Sequence, residues 1–175
     1  MPLALRQDTV GIRTALAFRA AEPGTQWWAL AVFVAAVVAV AAVGALAANN
    51  AKDVYPRLRR PAWAPPAWLF GPAWTILYIT IALAGWIGWR HGAGASALGV
   101  YAAQLLINAA WTPLFFGLNR YGLALGDIVL LWLLIGATVA LFWPVSPLAA
   151  LLLLPYWAWV SYATALNASI WRLNR

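Results

Sequence analysis

The side chains that usually carry enzyme chemistry are scarce in this chain. It has one histidine, His91, four acidic residues and no cysteine, so thiol catalysis, disulfides and thiolate metal sites are excluded. His91 lies in the stretch Arg90-His91-Gly92, which is typical of a hydrated loop rather than of a metal ligand. Paired carboxylates, a Ser-His-Asp arrangement and a phosphate-binding glycine loop are not visible. We therefore predict no metal site and no conventional hydrolytic or phosphoryl-transfer activity.

The residues that stand out are instead aromatic and amide side chains, among them 13 tryptophans. In one apolar stretch, five such residues recur three or four positions apart, which places them on one helical face. They are Tyr101, Gln104, Asn108, Trp111 and Phe115. Because amides are costly against lipid, we expect this face to point into the protein. The opposite face carries small residues at every fourth position, Ala95, Gly99 and Ala103, which allow a second copy of the chain to approach closely and form a candidate dimer face.

Two further stretches carry similar stripes. Trp74 and Tyr78 are one helical turn apart, and so are Trp159 and Ala163. A small residue such as Ala163 between large neighbours leaves a gap that a flat ligand can occupy. A largely apolar cavity with a few polar groups is what a hydrophobic small molecule requires. The stripes could equally pack against one another as protein core, and their spacing does not decide between the two interpretations.

The composition shows where these stripes lie. Of the 175 residues, 65% are hydrophobic and 9% are charged, whereas soluble domains average about 45–50% and about 25%. So much apolar surface must be covered by lipid. The net charge of +7 comes from basic residues outside the apolar runs, where they set membrane topology and contact anionic lipid. We therefore expect contact with the bilayer and no nucleic-acid binding.

Five apolar stretches have the length, about 20 residues, that a helix needs to cross a bilayer. They cover residues 27–48, 66–89, 96–116, 121–143 and 147–171. The sequence thus predicts an all-α integral membrane protein, a bundle of five transmembrane helices over residues 27–175 that follows a polar leader at residues 1–26. Asp127 is the one acid well inside a span, and we expect a hydrogen-bonded structural role for it.

The segment between the first two spans, residues 49–65, is long for a bundle loop and is stiffened by proline, so it is the best candidate for a functional lid. This loop, the third loop and the carboxyl tail hold seven of the eleven basic residues. The positive-inside rule then places the first loop and the carboxyl terminus in the cytoplasm. The composition and the absence of organelle signals favour a bacterial cell membrane.

Three stretches of the chain resemble one known family. They are PAWAPPAWLFGPAWTILY at residues 61–78, QLLINAAWTPLFFG at residues 104–117, and PYWAW through SYATALN at residues 155–167, which ends in Trp171-Arg172. Their order and spacing, across three of the five spans, are similar to those of the translocator protein and tryptophan-rich sensory protein family. The resemblance implies a five-helix bundle, often a homodimer, that binds tetrapyrroles such as protoporphyrin as well as sterols and synthetic aromatic drugs.

Position by position, the resemblance implies a ligand site with residues from three spans and the long loop. The implied site residues are Trp74, Tyr78, Asn108, Trp111, Trp159 and Ala163, with Tyr55 closing over the ligand from the loop. The chain departs from the family in two places. Val54 precedes Tyr55 where a tryptophan is usual, and Ala168 and Ser169 replace tyrosines of the animal members' sterol motif, which weakens a sterol interpretation.

We hypothesise that a porphyrin binds edge-on between the second, third and fifth spans, with no obligatory cofactor. Trp74, Trp111 and Trp159 would present ring faces to the macrocycle, and Asn108 a hydrogen bond. The propionates would reach basic side chains of the long loop at Arg57, Arg59 and Arg60. Three functions remain open at this point: tetrapyrrole binding with a sensory or regulatory role, transport of porphyrin, lipid or sterol, and light-dependent porphyrin degradation.

Overall fold

The computed structural model describes residues 23–48 and 51–175, without the side chains of residues 23–25, 52 and 53. Every regular element in these two segments is helical. The helices are α1 (Pro23–Ala47), α2 (Ala51–Arg57), α3 (Phe70–Arg90), α4 (Ala95–Thr112), α5 (Tyr121–Phe142) and α6 (Pro147–Leu173). Most of the predicted leader, residues 1–26, lies outside the described residues.

Within the described segments, five helices are long and apolar enough to cross a membrane, namely α1, α3, α4, α5 and α6. Their outward faces carry large apolar side chains, such as Trp28, Leu46, Ile76 and Leu106, that are 62–76% exposed. Water would penalise such a surface, whereas lipid solvates it. The prediction of an all-α, five-helix membrane protein is confirmed.

The five long helices form a closed ring in which sequence neighbours are not always spatial neighbours. Going round the ring, α1 packs on α3, α3 on α6, α6 on α5, α5 on α4, and α4 back on α1. The second, third and fifth spans, α3, α4 and α6, are thus parts of one ring. The short helix α2, the turn between α4 and α5, and the end of α6 lie at the same end of the bundle.

The helix ends differ from the predicted spans by a few residues. The helix α1 begins inside the predicted leader, and α3 is preceded by a 3-10 turn at Ala67–Leu69. The third span was expected over residues 96–116, and the backbone completes it beyond α4 as a π-helical turn, Pro113–Gly117. In that turn the Leu118 amide donates to the Pro113 carbonyl at 2.9 Å. A wider turn keeps the backbone hydrogen-bonded beyond a proline at membrane depth.

Glycines let aromatic rings pack tightly at the end of the bundle away from α2. A Cβ on Gly85 would lie 2.5 Å from the Tyr101 ring and 2.7 Å from Phe33, and one on Gly88 would lie 2.8 Å from Phe142. The Tyr101 hydroxyl donates to the Ile81 carbonyl at 3.0 Å. These contacts hold α4 against α1 and α3. They thereby fix the position of the polar face of α4 along the axis of the bundle.

Candidate functional site

A small pocket lies inside the ring of helices, in the half nearer to α2. Its nine lining side chains come from four helices: Phe70 and Trp74 (α3), Asn108 and Trp111 (α4), Ile128 and Leu131 (α5), and Trp159, Val160 and Ala163 (α6). The cavity between them has a volume of about 10 Å³, which is about the room that one water molecule needs. The lining is apolar and aromatic except for the amide of Asn108.

Five of the seven predicted binding residues line this pocket: Trp74, Asn108, Trp111, Trp159 and Ala163. The other two, Tyr78 and Tyr55, lie behind it and support residues that do line it. Four lining residues were not predicted, and they are Phe70, Ile128, Leu131 and Val160. Phe70 is one turn before Trp74, so helical spacing could have identified it. The fourth span is so uniformly apolar that nothing in its sequence distinguishes the inward positions Ile128 and Leu131.

A chain of hydrogen bonds behind the pocket joins α3, α4 and α6. The Tyr78 hydroxyl donates to Oδ1 of Asn108 at 3.4 Å, and Nδ2 of Asn108 donates to the Tyr156 hydroxyl at 2.8 Å. The Tyr156 hydroxyl in turn donates to Oε1 of Gln104 at 3.0 Å. These three hydrogen bonds join the helices, and Asn108 is held in one orientation at the pocket wall.

Four buried side-chain atoms have no hydrogen-bond partner among the described residues: Nε2 of Gln104, Oδ2 of Asp127, and Nε1 of Trp157 and of Trp159. A hydrogen-bonded structural role was expected for Asp127, and its Oδ2 takes no part in one among the described residues. Among the side chains that the structure describes, no three His, Asp or Glu residues lie close enough to hold a metal ion. The recognition groups in the pocket lining are ring faces and the amide of Asn108.

The tryptophan rings are held by their neighbours in different ways. Trp74 lies 5.2 Å from the Tyr78 ring and 6.2 Å from the Tyr156 ring, measured between centroids. Nε1 of Trp111 donates to Oδ1 of Asn167 at 3.1 Å. Trp159 instead makes an edge contact with Phe70, at 6.0 Å, while its own Nε1 is buried and has no partner in the described segments.

The predicted lid is folded down over this end of the bundle. Tyr55, in α2, is 3% exposed, and its hydroxyl donates to the Pro65 carbonyl at 2.9 Å. Its ring packs edge-on against Phe70, 5.6 Å between centroids, and the guanidinium of Arg60 lies 4.4 Å above it. Tyr55 therefore buttresses a pocket-lining residue rather than lining the cavity itself.

Polar contacts tie the lid to α6 and to its carboxyl end. The Arg59 amide donates to Oδ1 of Asn174 at 3.1 Å, and Nδ2 of Asn174 donates to the Arg59 carbonyl at 2.9 Å. The Tyr162 hydroxyl donates to the Trp63 carbonyl at 3.1 Å. The three predicted propionate contacts, Arg57, Arg59 and Arg60, are all exposed at this end.

The candidate dimer face of α4 points away from the ring. Ala95 and Gly99 are exposed and Ala103 is partly exposed. A Cβ on Gly99 would meet no other described atom within 4 Å. The face is thus unobstructed by the described residues, and its pairing with a second copy stays a prediction.

Comparison with known proteins places this architecture in one family. A sequence model described as the TspO/MBR family matches residues 31–172. The chain is similar to Protein CrtK of Rhodobacter capsulatus, 40% identical over 148 residues (82% of this chain and 91% of that protein). It is similar to the Tryptophan-rich sensory protein of Cereibacter sphaeroides, 42% identical over 149 residues (84% and 92%). It is also similar to the Translocator protein of Sus scrofa, 43% identical over 126 residues (69% and 75%). The sequence resemblance is confirmed, and the chain belongs to the TspO/MBR family of multi-pass membrane proteins.

Proposed function

We propose that this protein binds a porphyrin of the protoporphyrin type in the pocket between α3, α4 and α6, and that binding has a sensory or regulatory role. The observation that carries the proposal is the convergence of Trp74, Trp111 and Trp159 on one cavity, together with the fixed amide of Asn108. Ring faces suit a flat aromatic macrocycle, and one oriented amide adds a directional contact.

Binding must open the pocket. A cavity of about 10 Å³ is far below the roughly 300–1,000 Å³ of typical small-molecule sites. The lining side chains therefore have to separate, and the lid, which rests on Phe70 through Tyr55, has to follow. A ligand that binds only the open form shifts the population toward it. This coupling between pocket and lid is how binding would be reported at the membrane surface.

The charged edge of the macrocycle would lie at the lid end, where propionates can form charge-assisted hydrogen bonds with Arg57, Arg59 or Arg60. The pocket lining includes no histidine, cysteine, methionine or carboxylate side chain, so it offers no axial ligand for a haem iron. We therefore expect haem to gain little over metal-free porphyrin. A strong preference for haem would contradict this binding mode.

Transport is a second candidate, because relatives of this chain bear the name Translocator protein. In that case the same pocket would hold porphyrin or lipid during passage across the bilayer. Uptake into sealed proteoliposomes separates the two functions: binding without net accumulation supports the sensory role, and time-dependent accumulation in the lumen supports transport.

We further propose that the protein lies in a bacterial cell membrane with its lid and carboxyl terminus in the cytoplasm, in accordance with the distribution of basic residues. The small-residue face of α4, at Ala95, Gly99 and Ala103, is proposed to form a homodimer contact.

Quenching of tryptophan fluorescence by protoporphyrin in detergent tests the binding proposal. Ala163 is 7% exposed and lines the pocket, whereas Ala165 is exposed on the same helix. Ala163→Leu fills the site, so it is expected to abolish saturable quenching while circular dichroism shows a folded helix bundle. Ala165→Leu is expected to bind like the wild type. Equal saturable quenching in all three proteins would place the porphyrin elsewhere and overturn the proposal.

A further inference from the structure

A second, larger space lies on the outside of the bundle, between α3 and α6. It is an open groove with a volume of about 500 Å³ and an almost entirely apolar lining. The lining residues are Leu69, Ala73, Ile76, Leu77, Pro155, Ala158, Trp159 and Tyr162. Both walls belong to helices that cross the membrane. Hydrocarbon rather than water therefore fills the groove.

The groove is lined by a small residue from each of its two helices. Ala73 on α3 and Ala158 on α6 leave room that larger side chains would fill. Pro155, also in the lining, lies inside α6 and has no N–H to offer the Leu151 carbonyl. The helix is therefore less rigidly held at this level.

One side chain, Trp159, lines both the groove and the inner pocket. Trp159 is therefore shared by the walls of the two spaces. The ring contacts Phe70 at 6.0 Å and Tyr162 at 5.8 Å between centroids, and its buried Nε1 has no hydrogen-bond partner among the described residues. The indoles of Trp111 and Trp132, in contrast, donate hydrogen bonds at 3.1 and 2.8 Å. A turn of the Trp159 ring would therefore break no hydrogen bond of its indole among the described residues.

The opposite route, through the lid, is fastened by several hydrogen bonds. Asn174 forms two hydrogen bonds with the backbone of Arg59, and the Tyr162 hydroxyl donates to the Trp63 carbonyl. Opening the lid breaks these contacts, whereas displacing the Trp159 ring costs ring contacts alone. A hydrophobic molecule is also far more concentrated in the bilayer than in the water above the lid.

From this geometry we propose that the ligand of the inner pocket arrives sideways from the bilayer, along the groove between α3 and α6, and passes the ring of Trp159. The proposal rests on the function proposed above. The occupant is a flat, largely hydrophobic molecule dissolved in the hydrocarbon, for which protoporphyrin is the probe. The polar edge of such a molecule points toward the lid end of the bundle, where the exposed arginines lie.

Stopped-flow quenching of tryptophan fluorescence by protoporphyrin, with the protein in lipid vesicles, tests the route. Ala158 lines the groove but not the pocket. Ala158→Phe is expected to lower the association and dissociation rate constants by the same factor, several-fold, and to leave the dissociation constant unchanged. Ala73→Leu fills the groove from the other wall and is expected to do the same. Ala165→Phe, on an exposed residue outside the groove, is the control and is expected to keep wild-type rates.

Asn174→Ala tests the competing route, entry through the lid, because it removes the two hydrogen bonds between Asn174 and the backbone of Arg59. A lateral route, in which the lid shifts only after the ligand has passed Trp159, predicts an unchanged association rate, whereas a several-fold increase would identify the lid as the way in and overturn the proposal. Wild-type rates in both groove variants would also overturn it, while leaving the binding function intact. Absence of saturable binding to the wild-type protein would overturn the route and the proposed function together.

Discussion

Replacement of Tyr156 by phenylalanine tests the polar chain that orients the pocket amide. Tyr156 is 0% exposed, and its hydroxyl is the point where two interhelical hydrogen bonds meet, one from Asn108 at 2.8 Å and one to Gln104 at 3.0 Å. Tyr156→Phe keeps the ring and removes this single oxygen. It leaves a donor of Asn108 and an acceptor of Gln104 buried without their partner.

The expected decrease in the free energy of unfolding follows from the number of hydrogen bonds removed. An interhelical hydrogen bond in a membrane protein contributes about 0.6 kcal/mol on average and about 1.7 kcal/mol at most. Leaving a buried polar group without a partner costs about 1–3 kcal/mol. For two bonds with a shared atom we therefore expect the free energy of unfolding to fall by about 1–3 kcal/mol.

Tyr101→Phe is the matched control. Tyr101 is 3% exposed, and its hydroxyl makes one hydrogen bond, to the Ile81 carbonyl at 3.0 Å. We expect this variant to lose only about 0.5–1.5 kcal/mol. Reversible unfolding in mixed micelles with increasing SDS, followed by circular dichroism, measures both values under the same conditions.

Protoporphyrin binding is a second readout, which separates the effect of Tyr156→Phe on the orientation of the Asn108 amide from its effect on stability. Tyr156→Phe is expected to weaken protoporphyrin binding because Asn108 loses one of the two contacts that hold it at the pocket wall. Tyr101→Phe, which does not touch the pocket, is expected to bind normally. If Tyr156→Phe were no less stable than Tyr101→Phe and bound porphyrin equally well, the polar chain would have neither of the roles assigned to it.

Three further predictions follow from packing, the lid and topology. Gly85→Ala places a Cβ 2.5 Å from the Tyr101 ring and is expected to lower the free energy of unfolding by about 1–3 kcal/mol. The control Gly99→Ala, whose Cβ meets no described atom within 4 Å, is expected to leave that free energy unchanged. Equal stabilities of the two variants would contradict the packing described around Gly85. Asn174→Ala removes two hydrogen bonds to Arg59, so limited trypsin digestion is expected to cut the lid faster than in the wild type, and an unchanged rate would show that these bonds do not fasten it. In a chain without native cysteines, single cysteines at Arg59 and at His91 are expected to react with a membrane-impermeant maleimide from the cytoplasmic and the opposite side respectively; the reverse pattern would invert the proposed orientation.

The sequence predicts well those features that depend on local periodicity. The length and hydropathy of each apolar run are sufficient to predict a membrane helix, because lipid leaves the backbone few alternatives. The face of α4 that carries Gln104 and Asn108 was expected to point inward, and the two side chains are 1% and 5% exposed. A polar side chain among apolar neighbours has one low-energy direction to face, so its burial can be predicted from spacing alone.

Features that depend on how the helices meet could not be predicted in this way. Tyr156 lies three residues before Trp159 on the same helix, but its partners Asn108 and Gln104 lie 48 and 52 positions away in the chain. The small volume of the pocket and the groove beside it depend on the distance between α3 and α6. That distance cannot be predicted from the sequence of either helix alone. The missing partner of Asp127 is likewise a property of neighbours in space.

On the proposed binding mode, porphyrin lies inside the bundle and the pocket must open to admit it. The most direct measurement is the distance between spin labels on cysteines introduced at Thr75 in α3 and Ala165 in α6, both exposed, by pulsed electron paramagnetic resonance with and without protoporphyrin. We predict a longer mean distance at saturation in the otherwise wild-type protein and no change when Ala163→Leu is added. An unchanged distance with saturating porphyrin bound would contradict binding in this pocket.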